Sequence, residues 1–189
     1  MEHTKTFYPR ERGEWRQWLA EHYKDEKEVW FVFPTVDSGE AGVSYNDAVE
    51  EALCFGWIDS TAGRLDETHQ LRRFCPRKKG SPYSRPNIER MILMQREGKL
   101  LPEVYESVKE LLETPYVYPA DILARIAENA DAQRHFETFS EPYKRIRVAY
   151  VDAARHRPEE FEKRLENFVR KTAAGRIITG YGGIEKYYK

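Results

Sequence analysis

The chain has 189 residues, 40% of them hydrophobic and 13% aromatic, enough to core one domain or one domain followed by a smaller helical lobe. Thirty-one Lys and Arg oppose 32 Asp and Glu, for a net charge of −1 and a pI near 6.5, so no chain-wide polarity favours nucleic acid or a membrane surface. Two cysteines, Cys54 and Cys75, lie outside any CxxC pattern, and the chain shows no signal-type apolar core or membrane-length apolar run; a soluble cytoplasmic protein with reduced thiols and no membrane span is expected.

Trp15, Trp18, Leu19 and His22 recur at i, i+3, i+4 and i+7 and predict a first helix. EVWFVFP (28–34), dense in β-branched and aromatic residues and closed by proline, predicts a strand. After a turn-rich segment, Ser44-x-x-Asp47 reads as a capping box for a helix with Tyr45, Ala48, Val49, Ala52 and Leu53 on one face. Gly56 supplies the left-handed residue that ends it. Trp57-Ile58-Asp59 and HQLRRFC (69–75) predict two further strands, making a small antiparallel sheet of about three.

From residue 84 onward the pattern is helical. Ile88, Met91, Ile92 and Gln95 share a face before Gly98, and Pro102 opens a helix with Val104, Tyr105, Val108, Leu111 and Leu112. TPYVYP (114–119) reads as a lobe boundary. Beyond it, helices are expected around Ile122–Ala127, Tyr143–Tyr150 and Phe161–Phe168, with the tail GRIITGYGGIEKYYK mobile or a docking segment. The expected fold is α+β: residues 1–113 form a sheet packed with helices, and 114–189 form a helical C-terminal lobe.

Four stretches carry a resemblance: ALCFGWIDS (52–60), RLDE (64–67), RFCPRKKGSPYSRPNIERM (73–91) and EGKLLPEV (97–104). In this order they resemble the YdeI/OmpD-associated (OmdA) family, also called bacteriocin-protection proteins, which reads A-L-C-F-G-W-I-D-G, L-D-E, R-F-T-P-R and S-x-W-S-x-x-N. The motifs fall within residues 12–110, and 143–165 is similar to the family's C-terminal helical region. Cys75 stands where the family has Thr, Tyr83 where it has Trp and Ser60 where Gly is common, so no nucleophilic role for Cys75 is inherited. The resemblance implies protection against bacteriocins or antimicrobial peptides, association with outer-membrane proteins and, for some members, a periplasmic location. It implies no reaction.

Between Arg72 and Arg90, seven Lys and Arg stand against one acid, Glu89. Arg73, Arg77, Lys78 and Lys79 lead from a strand into a Gly-Ser-Pro turn, and Ser84 is placed to cap the next helix, with Pro86 tolerated in its first turn. A helix N-terminus attracts anions through unpaired N–H groups, and guanidinium groups grip them bidentately. The predicted ligand-binding set is Arg73, Arg77, Lys78, Ser81, Tyr83, Ser84 and Asn87, for an anionic small molecule or an acidic partner. The structural alternative is charge cancellation. Residues 40–60 hold Glu40, Asp47, Glu50, Glu51 and Asp59 with no Lys or Arg, and could pair with the basic run.

Two other functions stay open. Asp59, beside Trp57 and Ile58, either pairs with Arg73 or Arg77 or serves as acid or base in an enzyme on a phosphorylated or carboxylated small molecule. A nucleic-acid-binding module would combine the basic turn and its aromatic neighbours with Lys144, Arg145 and Arg147. Core packing is the simpler role for Trp57 and Phe74, whereas Tyr83 is expected at the surface. The five histidines are scattered, and no phosphate-loop, GxSxG or dinucleotide motif is present, so no cofactor or metal is expected.

Overall fold

A computed structural model describes residues 5–179 and 184–188. The chain divides into two units, one running through Tyr83 and resuming over Arg90–Leu112, the other made of Ser84–Glu89 and the chain from Glu113 onward. The fold class is α+β, with eight α-helices and a four-stranded mixed sheet among the described residues.

The first unit carries β1 (Thr6–Phe7), α1 (Arg12–His22), β2 (Val29–Pro34), α2 (Tyr45–Cys54), β3 (Trp57–Arg64) and β4 (His69–Pro76). The strand order is β1-β2-β4-β3. β2 and β4 are antiparallel, with Val29 opposite Phe74 and Phe31 opposite Arg72. β3 pairs antiparallel with β4, placing Asp59 opposite Phe74, and a bulge falls between Asp59 and Ala62. The strand beyond the expected three is β1, two residues paired parallel to β2.

Pleating brings Val29, Phe31, Phe74 and Trp57 into one buried cluster with Trp15 and Leu19 of α1 and Val49 and Leu53 of α2. The two buried indoles are both satisfied: Trp15 Nε1 donates to Ala48 O at 3.0 Å and Trp57 Nε1 to Tyr23 O at 3.1 Å. α2 starts as its sequence requires, with Ser44 Oγ accepting from Asp47 N at 3.1 Å. It ends on Gly56 at φ 73°, a left-handed conformation that a side chain would disfavour.

Helix α3 (Arg85–Arg96) contributes Met91 and Met94 to this core, and α4 (Pro102–Glu113) contributes Val104 and Val108. The second unit is built from α5 (Ala120–Ala127), α6 (Ala130–Thr138), α7 (Glu141–Asp152) and α8 (Pro158–Ala173). Ile122, Ile126, Tyr143, Ile146, Leu165 and Phe168 are buried in it. Helix α6 was not expected from the sequence; Asn129 caps it by accepting from Ala132 N at 2.9 Å. Within the tail, 180–183 lies outside the described residues, and Ile184–Tyr188 forms a 3₁₀ turn whose Ile184, Tyr187 and Tyr188 are buried.

Candidate functional site

The acidic segment finds its counter-charges in the first unit, on α1 and its approach. Arg12 lies 2.8 Å from Asp47, 2.9 Å from Glu50 and 2.5 Å from Glu51, and Arg16 lies 2.6 Å from Glu51. Glu50 and Glu51 face α1 from the buried side of α2, where unpaired carboxylates would be costly. Arg10 holds Glu40 at 2.7 Å and keeps that carboxyl below its ordinary range.

Asp59 accepts a hydrogen bond from the Tyr45 hydroxyl at 2.9 Å and has Arg72 Nε at 3.9 Å. Burial, followed by the charge of Asp59, pushes the Tyr45 phenol up to about 12. The expected pairing of Asp59 with Arg73 or Arg77 does not form, for a reason of register. Asp59 lies opposite Phe74, so Arg72 shares its face of the sheet while Arg73 points away. Arg73 instead reaches Glu28 at 2.7 Å.

Arg77 has a different environment. Its backbone N–H donates to Gly56 O at 2.9 Å, and its Nη2 donates to Ser81 O at 2.9 Å and Pro82 O at 3.1 Å. The guanidinium carbon lies 3.7 Å from the Tyr83 ring centroid, a cation–π stack that fixes its plane. Between these anchors, Ser81 N donates to Lys78 O at 3.1 Å and Gly80 sits at φ 80°, the third position of a tight turn that calls for glycine. Lys78 and Lys79 are exposed on that turn. Among the described residues, none of Arg77, Lys78 and Lys79 pairs with a carboxylate.

Residues 7–107, just over half of the chain, match the family model of a domain of unknown function (DUF8412). The chain belongs to that family. Residues 115–175 match the family described as bacteriocin-protection, YdeI or OmpD-associated, so the resemblance read from the sequence is shown, with its match in the C-terminal part. No curated protein and no solved structure matches the chain.

The turn of Arg77, Lys78, Ser81 and Tyr83 therefore lies within the DUF8412 segment, and the structure keeps these four predicted residues together. Tyr83 is half-buried, packed against the core on one side and carrying Arg77 on the other. Ser84 and Asn87 belong to the second unit; Ser84 O accepts from Ile88 N at 3.1 Å, which puts Ser84 at the start of α3. There Glu89 is buried between Arg85 at 2.5 Å and the two nitrogens of Arg145 at 2.7 and 2.8 Å.

Lys144, Arg145 and Arg147 do not form a basic strip. Arg145 is bound to Glu89, Lys144 pairs with Glu141 at 2.5 Å, and Arg147 is buried. Both thiols are free, and burial, with the charge of Glu51 adding to it, pushes Cys54 up to about 12. Among the described residues, no group of three or more His, Cys, Asp or Glu is placed to hold a metal ion, and no helix is long and apolar enough to cross a membrane. Sequence reasoning missed Tyr45 and Arg72 as the partners of Asp59; strand parity was the signal that could have found Arg72.

Proposed function

We propose that the protein binds an anionic small molecule or an acidic partner at the turn of Arg77, in the cytoplasm. The observation that carries this reading is the disposal of the acidic segment. Its buried carboxylates are already matched by Arg12 and Arg16, so they do not neutralise the basic turn. Arg77 is left as a guanidinium fixed in plane by Tyr83 and two carbonyls, flanked by two exposed lysines that have no acidic partner among the described residues. A preoriented guanidinium loses little freedom on gripping an oxyanion, which favours binding. Ser81 adds a neutral hydroxyl beside it. Two free thiols accord with a reducing compartment.

Titration calorimetry with phosphate and sulfate tests the reading. Arg77→Gln should weaken binding by about 1.5–3 kcal/mol, the scale of a charged hydrogen bond. A wild-type protein that takes up neither anion, nor any acidic peptide, at low ionic strength would refute it.

A further inference from the structure

The helical unit contains a cavity of about 410 Å³ lined by α7, α8 and the segment that follows α8. Arg147 is one of its lining residues and is only 5% exposed. Its Nη2 donates to Ile178 O at 2.6 Å and to the Tyr188 hydroxyl at 3.0 Å, while its Nε is buried with no hydrogen-bond partner among the described residues. No carboxylate among the described residues pairs with this guanidinium. A cation this buried ordinarily has a counter-ion, because its lost hydration must be replaced.

The rest of the lining defines what could supply that charge. Arg164 is neutralised by Glu160 at 2.7 Å, and its guanidinium lies 4.0 Å from the Tyr150 ring, which it holds as an aromatic wall. Lys163 is exposed at the cavity and its charge already acts on Glu160, so among the described lining residues the positive charge left without a carboxylate is that of Arg147. Val151, Phe168 and Ile178 provide apolar surface. An inorganic ion would satisfy Arg147 and leave that surface wet, whereas a carboxylate on an apolar body would cover both.

We propose that this cavity binds a small organic anion, a carboxylate carried on an aromatic or aliphatic body, with Arg147 as its buried counter-charge. The site shares no residue with the turn of Arg77 and stands independently of it.

The test is calorimetric titration of the full chain with benzoate and hexanoate, against benzyl alcohol, hexanol and inorganic phosphate. Both carboxylates should bind saturably, and the alcohols and phosphate about tenfold or more weakly. Arg147→Met should lower carboxylate affinity about tenfold or more without lowering the melting temperature, since it removes an unmatched buried charge. Asn167→Trp, at an exposed helical position on the lining, should exclude the ligand while the protein melts as wild type does. It decides the matter should Arg147→Met not fold. Arg77→Gln should leave carboxylate binding unchanged. The proposal is overturned if neither carboxylate binds at about 10 mM, if phosphate binds as tightly, or if Asn167→Trp binds as wild type does.

Discussion

Replacing Arg12 by glutamine, and separately Arg77 by glutamine, asks where the charges of this protein hold the fold and where they do not. Arg12 reaches Asp47, Glu50 and Glu51 at 2.8, 2.9 and 2.5 Å, and the side chains of Glu50 and Glu51 are 0% and 1% exposed. In the variant Glu51 keeps Arg16 at 2.6 Å, so the loss falls on Glu50 and on half of the Glu51 bonding. Breaking a buried ion pair costs about 3–5 kcal/mol. The Arg12 side chain is 28% exposed, so water partly takes its place, and the expected loss lies at the lower end, about 3 kcal/mol. For a chain of this length that corresponds to a fall of about 6–12 °C in melting temperature, read by scanning calorimetry at neutral pH. Arg77→Gln removes a stack and two carbonyl contacts at a half-exposed site, about 1 kcal/mol at most. An Arg12→Gln protein that melts within about 2 °C of wild type would show that α1 does not hold the carboxylates of α2. Equal falls in both variants would make Arg77 a structural residue and remove the basis for an anion site at its turn.

Two further outcomes are expected. Trp57→Ala should cost about 3–5 kcal/mol in urea unfolding, as the loss of a large buried side chain does; Trp57→Phe should recover most of this, and a loss well under about 1 kcal/mol would mean that Trp57 is not core. The Glu141 carboxyl is held below its ordinary value of 4.5, first by Lys144 and then by Tyr118 and Arg145. Its contribution to stability is therefore complete above that value and is lost as pH falls through the lower folded one. Unfolding curves from about pH 6 to about pH 3 should show a shallower acid loss for Glu141→Gln, and an unchanged slope would contradict the assignment.

Much of the first unit could be read locally. The spacing of Trp15 and Leu19, the Ser44 cap and Gly56 each contain their own physical cause within a few residues. β1 could not be read this way: two residues have no period, and their strand state depends on a register with Trp30 and Phe31. α6 was missed because Ala132 and Phe136 are its only buried residues, although Asn129 gave a capping signal. Ion pairs between α1 and α2 join residues 35–39 positions apart, beyond any local pattern. In the sequence Arg147 stands beside the cations Lys144 and Arg145. Its spacing, four residues after Tyr143 and four before Val151, places it on the buried face of α7, and that periodicity was the signal to follow.

The bulge between Asp59 and Ala62 has a consequence for assembly. β3 is an outer strand of its sheet, and Ser60, Thr61 and Ala62 are exposed. A long, flat outer strand presents a regular ladder of N–H and C=O groups that a strand from another molecule can extend. Here the ladder loses register midway, the strand twists, and the exposed stretch carries small or hydroxylated side chains. The sheet is thereby a poor template for edge-to-edge growth, and concentrated preparations should resist fibril formation seeded at this strand.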